Sequence, residues 1–100
     1  MQHILEQLGI EAINDGTWLG NTSVSDDAAP LIESVNPATD EIIASVRATT
    51  MTQYEEVIEK AQESFIAWRS VPAPVRGEAV RHIANALRKY KDALGSLVAL

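Results

Sequence analysis

The chain has 100 residues, which is the size of one small domain or of a piece of a larger protein. Hydrophobic residues make up 46% of it, enough for a packed core and too many for a disordered chain. The net charge of −6 argues against a nucleic-acid partner. No cysteine is present, so disulfides and thiolate chemistry are excluded within these residues.

The first residues lack the features of a secretory signal. Residues 1–6 contain no basic segment, no apolar segment and no small-residue cleavage site. No apolar run in the chain approaches the length of a membrane span. We therefore expect a cytoplasmic protein that binds neither membranes nor nucleic acid.

Charge is divided unevenly between two parts of the chain. Residues 1–65 carry 12 acidic and 2 basic side chains, whereas residues 66–100 carry 2 acidic and 6 basic ones. A basic part could bind phosphate. We favour the simpler expectation that the two parts face each other or face other parts of a larger protein.

The N-terminal part is predicted to begin with a short helix and to continue into turns. Residues 3–8 are predicted to form the helix, which Gly9 ends because glycine adopts the left-handed conformation easily. Asn14-Asp15-Gly16 is predicted to form a turn ahead of a short strand at residues 17–19. The polar residues 21–30 are predicted to form a loop.

A β-hairpin is predicted next. Residues 31–35 and 41–48 are rich in β-forming side chains, and Asn36 to Asp40 lie between them. Pro37 presets φ for the turn, and Asp40 tolerates the left-handed region. Because a lone hairpin is marginally stable in water, we expect it to pack on helices or to pair with more sheet.

The following segment is predicted to form an amphipathic helix that ends near Ser70. Thr50 or Thr52 caps it, and Thr52 to Glu55 matches a capping box. Its apolar residues recur at helical spacing and are expected to form a buried stripe. That stripe contains Tyr54, Val57, Ile58, Ala61, Phe65 and Trp68.

The last helix is predicted to begin near Pro74 and to break near residue 91, since Asp92 and Gly95 disfavour its continuation. Its expected buried stripe contains Val80, Ile83, Ala84, Leu87, Tyr90 or Lys91, Leu94, Leu97 and Val98. Gly77 is costly inside a helix, so we expect a close backbone approach there. The stripe is still in phase at Leu100, and we therefore expect the chain to be the start of a longer protein.

Overt chemistry is absent from the sequence. His3 and His82 lack the spacing of metal ligands, and no glycine-rich phosphate loop is present. Arg81 and Arg88 share a helix face and could clamp an anion, but ion pairing with the acidic part is favoured. Four acidic residues are typical of a solvated helix face: Glu55, Glu56, Glu59 and Glu63. We predict no catalytic, cofactor-binding or metal-binding residue.

Three segments together resemble the N-terminus of the aldehyde dehydrogenase superfamily. They are SVNPATDEIIASV (34–46), YEEVIEKAQESFIAWRSVP (54–72) and RGEAVRHIANALRKYKDALGSLVAL (76–100). Three finer features resemble its antiquitin group, the α-aminoadipic semialdehyde (piperideine-6-carboxylate) dehydrogenases of lysine breakdown. These are the opening ILEQLGIEAINDGTWLG (4–20), the run WRSVPAPVRGE (68–78) and the final LGSLVAL (94–100).

The resemblance implies an α/β fold in which residues 1–100, a hairpin plus amphipathic helices, form the N-terminal portion of the NAD-binding domain. It implies NAD(P)-dependent oxidation of an aldehyde, with α-aminoadipic semialdehyde as the favoured substrate, by a homo-oligomer, either a homotetramer or a dimer. The family's catalytic cysteine and glutamate and its NAD or NADP contacts come after Leu100. The segment alone would therefore be inactive.

A non-catalytic helical and hairpin interaction module from a truncated paralogue is the alternative to an enzyme. If the enzyme interpretation holds, residues 1–100 made alone are expected to be molten or prone to aggregation, because much of the surface that covers their apolar stripes is missing.

Overall fold

The computed structural model describes residues 1–100 and shows an α/β chain of four helices and five short strands. None of the helices combines the length and the apolar character that crossing a membrane requires. In chain order the elements are α1 (Gln2–Gln7), β1 (Ile13–Asp15), β2 (Trp18–Leu19), β3 (Thr22–Ser23), β4 (Leu31–Val35), β5 (Ile42–Arg47), α2 (Met51–Trp68), α3 (Ala73–Lys89) and α4 (Lys91–Val98).

The predicted hairpin is confirmed. Strands β4 and β5 pair antiparallel and belong to a three-stranded sheet of order β1-β5-β4. In the turn, the Asn36 side-chain oxygen accepts a hydrogen bond from the Ala38 amide at 2.9 Å. Asp40 has a φ of 58°, the left-handed conformation that its short polar side chain tolerates. The turn chemistry of the sequence thus fixes the register of the two strands.

The prediction of a turn at Asn14-Asp15-Gly16 is wrong in part, because the residues before Gly16 form strand β1. This strand pairs parallel with β5, and Ile13 lies opposite Ser45. A Cβ atom added to Gly16 would lie 2.3 Å from the carbonyl oxygen of Arg47, so only glycine fits this approach. The turn preference of Asn14 and Asp15 is outweighed because their backbone groups can pair with the free edge of β5.

The predicted loop at residues 21–30 is also wrong in part. Thr22–Ser23 form strand β3, which pairs antiparallel with β2. Gly20 lies between the two strands with a φ of 60°, which gives the tight reversal that they need. The small second sheet is therefore made of a predicted strand and of residues whose composition indicates only a loop.

Helix α1 and the break in the last helix are confirmed. Gly9 follows α1 with a φ of 69°, and α3 ends at Lys89 while α4 begins at Lys91. Helices α1 and α4 pack together. Leu5 and Ala93, one from each, are 5% and 4% exposed. The N-terminus of the chain is thereby held against its last helix.

Of the two predicted caps of α2, Thr50 is confirmed. It forms the capping box with Gln53, so the prediction that Thr52 and Glu55 form the box is wrong. Thr50 has an extended backbone, and its hydroxyl oxygen accepts from the Gln53 amide at 3.2 Å. The Gln53 side chain in turn accepts from the Thr50 amide at 2.9 Å. Thr52 lies inside the helix, where its backbone cannot take the extended conformation of a cap.

The apolar stripes of α2 and α3 are exposed within residues 1–100, and their burial by a longer polypeptide stays a prediction. Phe65 is 50% exposed, Trp68 44% and Ile83 61%, and no residue of α3 is buried. The expected close approach at Gly77 is likewise not made by these residues, since a Cβ atom there would meet nothing within 4 Å. Nothing in the described chain covers these helix faces.

The dimensions of the chain agree with this exposure. The radius of gyration is 16.7 Å, whereas a compact domain of this length has one of about 13 Å. The structure measures 49 × 34 × 18 Å, and seven of its 100 residues are buried. The expectation that the segment is molten when made alone stays a prediction, and the half-exposed Trp18 and Trp68 agree with it.

Candidate functional site

The most prominent uncovered surface is the apolar stripe of α3, formed by Val80, Ile83 and Leu87. Their spacing of three and four residues puts them on one helix face. They are 61%, 61% and 57% exposed. Side chains of this kind normally lie inside a protein, so a stripe of them in water indicates a surface that packs on something else.

The opposite face of α3 is polar and internally paired. Arg81 bonds the Glu78 carboxylate, and Arg88 donates to the Asn85 side-chain oxygen at 2.9 Å. The Glu78 bond raises the pKa of Arg81 further above its ordinary value, so this cation stays charged. The two faces therefore differ in kind. The polar side chains are paired with one another, whereas the apolar face stays mostly exposed and only borders an open groove, shared with residues 6–9, at Ile83 and Leu87.

Helix α2 carries a second uncovered apolar surface near its C-terminal end. An open groove runs along it and into the connection to α3. Its lining residues are Ala61, Ser64, Phe65, Ala67, Trp68 and Val71. The Arg69 guanidinium lies 5.8 Å from the centre of the Phe65 ring, close enough for a cation–π contact. This groove faces solvent, and Ser64 is its one polar lining residue, with no acidic or basic residue in the lining.

A buried polar junction joins α2 to the strands. The Gln53 side chain, 7% exposed, accepts from the Thr17 hydroxyl at 3.4 Å and donates to the Val24 carbonyl oxygen at 3.3 Å. The hydroxyl oxygens of Thr17 and Thr49 lie 2.8 Å apart. Because buried polar groups cost free energy unless they are bonded, this closed set of bonds fixes the start of α2 on the sheet.

An ion pair ties β1 to β5. Arg47 donates to Asp15 at 3.1 Å and lies 3.4 Å from Asp27, which is almost fully exposed and contributes little. Hydrogen bonds to Asp15 from Ser23, and to a lesser extent from Ser25 and Arg47, lower its pKa below the ordinary aspartate value, while partial desolvation opposes this. The charged carboxylate is thus the form that the fold prefers.

The structure brings none of the sequence-selected groups together into a reactive site. His82 lies 3.6 Å from Glu78 and is remote in sequence from His3, and no group of three His, Cys, Asp or Glu residues could hold a metal ion. In the acidic cluster of α2, Glu63 pairs with Lys60 at 3.3 Å.

The expected ion pairing between the acidic and basic parts of this chain is not found within residues 1–100. Each ion pair joins residues within 1–65 or within 66–100, and Arg81 takes its partner from its own helix. The two parts do meet at α1 and α4, which pack together through apolar side chains.

The N-terminal turns of α2 and α3 are poorly suited to the phosphates of the nicotinamide cofactor that the resemblance implies. A phosphate group binds best at a helix N-terminus with free amide groups. The first turn of α3 contains Pro74, which has no amide hydrogen, and the amide of Gln53 at the start of α2 is already bonded to Thr50.

Gln53, in the buried polar junction, was not singled out by the sequence analysis. The signal was present, since Thr50-x-x-Gln53 has the spacing of a capping box as well as Thr52 to Glu55. Its further bonds to Thr17 and Val24 depend on tertiary structure, and the local pattern could not have indicated them.

Comparison with known proteins gives the chain a family. Residues 24–100 match the aldehyde dehydrogenase family. Aldehyde dehydrogenase family 7 member A1 of Pisum sativum is 44% identical over 96 residues, which are 96% of this chain and 18% of that protein. Alpha-aminoadipic semialdehyde dehydrogenase of Bos taurus is 45% identical over 96 residues, which are 96% of this chain and 17% of that protein.

A more distant relative matches over the same extent. Aldehyde dehydrogenase family 7 member B4 of Arabidopsis thaliana is 33% identical over 96 residues, which are 96% of this chain and 18% of that protein. The chain thus spans less than a fifth of the length of these relatives. The resemblance seen in the sequence is confirmed: the chain belongs to the aldehyde dehydrogenase family.

Proposed function

We propose that residues 1–100 are the N-terminal structural part of an NAD(P)-dependent aldehyde dehydrogenase whose substrate is α-aminoadipic semialdehyde, an intermediate of lysine breakdown. The observation that carries this is the 44–45% identity, over 96% of the chain, to relatives of which one is named for that substrate. The full-length polypeptide, meaning the one that contains residues 1–100 and the remainder, oxidises the aldehyde to the acid.

In this proposal the chain is the first portion of the dinucleotide-binding domain and acts as scaffold. The sheet gives it a rigid base, because the Gln53 junction and the Arg47–Asp15 pair hold the strands and the start of α2 together. The exposed stripes of α2 and α3 then pack on the rest of the domain. Burial of apolar surface contributes roughly 25 cal/mol per Å², so two such stripes contribute substantially to the stability of the whole.

The remainder of the full-length polypeptide supplies the chemistry. NAD or NADP, bound there, accepts the hydride that the aldehyde loses. The residues described above neither touch the cofactor nor bond the substrate in this proposal. Their part is to support the elements that do.

A comparison of substrates tests the proposal. Purified full-length polypeptide is supplied with NAD, and in a parallel set with NADP, and the reduced nicotinamide is followed by absorbance. We expect kcat/KM for α-aminoadipic semialdehyde to exceed that for betaine aldehyde and for acetaldehyde by at least about tenfold. Comparable values for the three aldehydes would remove the assigned substrate, and no reduction with any of them would favour a non-catalytic interaction module.

The same preparation tests the proposed assembly. We propose a homo-oligomer, with a homotetramer favoured, and sedimentation velocity of the full-length polypeptide measures its mass directly. A monomer at all concentrations would contradict this part of the proposal without affecting the proposed reaction.

A further inference from the structure

A single arginine lies in line with the apolar stripe of α3. Arg76 precedes Val80 by four residues, and the steps to Ile83 and Leu87 are three and four residues. On a helix of 3.6 residues per turn, these four positions fall on one face. The stripe therefore has a cationic end, at the N-terminal end of α3.

Arg76 lacks the partners that comparable arginines have. Its Nε atom is shielded from solvent and has no hydrogen-bond partner, and no carboxylate lies within ion-pair distance of it. Arg47 and Arg81, in contrast, are paired with carboxylates. An orphaned buried donor costs about 1–3 kcal/mol, so a native chain normally provides it with an acceptor.

The position of Arg76 in α3 makes its lack of a partner more costly. It is the fourth residue of a helix that begins at Ala73, so it lies at the positive end of the helix dipole. A cation is disfavoured there unless an anion or a carbonyl oxygen lies close by. The acceptor is absent from residues 1–100, which indicates that it belongs to something that covers this face.

We propose that Arg76, Val80, Ile83 and Leu87 form one docking face, and that its occupant is a carboxylate-bearing segment of the same full-length polypeptide outside residues 1–100. The carboxylate pairs with Arg76, and the apolar side chains of that segment cover the stripe. This inference rests on the proposed function, because it requires the longer polypeptide.

Two observations favour this occupant over a second copy of the chain. The matched relatives are more than five times as long as the 96 residues aligned, so most of such a polypeptide lies outside this structure. A symmetric dimer made through this face would also place two Arg76 side chains at the same interface. The face itself has no carboxylate that could pair with either of them.

Cysteine labelling in the full-length polypeptide tests the proposal. Residues 1–100 contain no cysteine, so Ile83→Cys and Asn85→Cys each place one thiol on α3. Residue 85 lies on the opposite side of the helix from the stripe and is exposed. Both variants fall in the tryptic peptide of residues 82–88, and mass spectrometry of that peptide separates them from thiols elsewhere.

We expect the thiol at position 83 to react with a maleimide at least about 100-fold more slowly than the thiol at position 85. Adding Arg76→Gln is expected to raise the rate at position 83 by at least about tenfold, whereas Arg76→Lys, which keeps the charge, raises it less. Arg88→Gln, on the polar face, is the matched control and leaves the rate unchanged; its peptide ends at Lys89.

Three results would overturn the proposal. Equal rates at positions 83 and 85 would show that nothing covers the stripe. Protection that Arg76→Gln does not reduce would remove the arginine from the docking face. Protection that disappears on dilution would identify a second copy as the occupant.

A second labelling site and an independent readout keep these outcomes distinct. If Ile83→Cys prevents folding, Val80→Cys is closer in volume. It is read in the tryptic peptide of residues 77–81, or in that of residues 70–81 when Arg76→Gln removes the cleavage site. Labelling needs neither aldehyde nor NAD, so an inactive polypeptide with a protected stripe contradicts the proposed function while it supports the docking face.

Discussion

The sheet region, residues 13–47, and the long helices α2 and α3 differ in where their stabilising contacts lie. In the sheet region, backbone pairing, the Gln53 junction and the Arg47–Asp15 pair satisfy the polar groups locally. Helices α2 and α3 satisfy their own backbone but leave their apolar faces in water. The strands are therefore stabilised by contacts within residues 1–100, whereas the apolar faces of α2 and α3 require contacts with residues outside them.

The largest effect is expected from a charge on the apolar face of α3. Leu87→Asp in the full-length polypeptide would bury an unpaired carboxylate and lower the free energy of unfolding by about 3–5 kcal/mol. Asn85→Asp, on the polar face, is the control and is expected to stay within about 0.5 kcal/mol. Urea unfolding midpoints measure both. Equal midpoints for the two variants would mean that α3 remains bare in the whole protein.

The next effect concerns the sheet region, where contacts are already complete. Gly16→Ala places a Cβ atom 2.3 Å from the Arg47 carbonyl oxygen, so β1 must move away from β5. We expect a loss of about 1–3 kcal/mol. Gly95→Ala, in α4 with nothing within 4 Å, is the opposite case and should gain up to about 1 kcal/mol. A gain in both variants, measured by thermal unfolding, would contradict the close packing of β1.

A smaller loss is expected where the two regions meet. Gln53→Ala removes half of the capping box and leaves the Thr17 hydroxyl and the Val24 carbonyl without this partner. We expect the free energy of unfolding to fall by about 1–2 kcal/mol. Gln62→Ala changes the same residue type on the exposed part of α2 and should cost less than about 0.5 kcal/mol. Equal costs would show that the junction contributes nothing.

The smallest effect is a pH dependence within the sheet region. Because the fold lowers the pKa of Asp15, its contribution to stability is complete above the unfolded value of about 3.9 and is lost as the pH falls through the folded value. Asp15→Asn removes this contribution. The stability difference between wild type and variant, from urea unfolding, should be largest near neutral pH and shrink in acid. A difference independent of pH would argue against a charged Asp15, and Glu56→Gln is the control for a carboxylate outside any ion pair.

The parts of the fold that the sequence predicted well depend on local chemistry. The Asn36-to-Asp40 turn, the stop at Gly9 and the break near residue 91 each follow from the backbone preferences of one or two residues. Strand β1 could not be predicted in this way, because Asn14 and Asp15 favour turns and form a strand only where β5 offers a free edge.

The apolar residues of the docking face were predicted from the sequence, and so was their need for a covering surface, whereas the part of Arg76 was not. The spacing of Val80, Ile83 and Leu87 correctly indicated an apolar face on α3, and burial was inferred from it. A pattern reports which side chains prefer to be buried, while the element that buries them depends on the rest of the chain. The unpaired state of Arg76 could be found only from coordinates, since a sequence does not tell whether a carboxylate comes within reach.

Amide hydrogen exchange of α3 shows directly whether the remainder of the polypeptide packs on residues 1–100 and completes their structure. The peptides covering residues 77–88 are compared between the full-length polypeptide and residues 1–100 made alone. The account predicts exchange at least about 1,000-fold slower in the full-length polypeptide, because packing on the stripe must open before these amides exchange. Equal exchange rates in the two would contradict it.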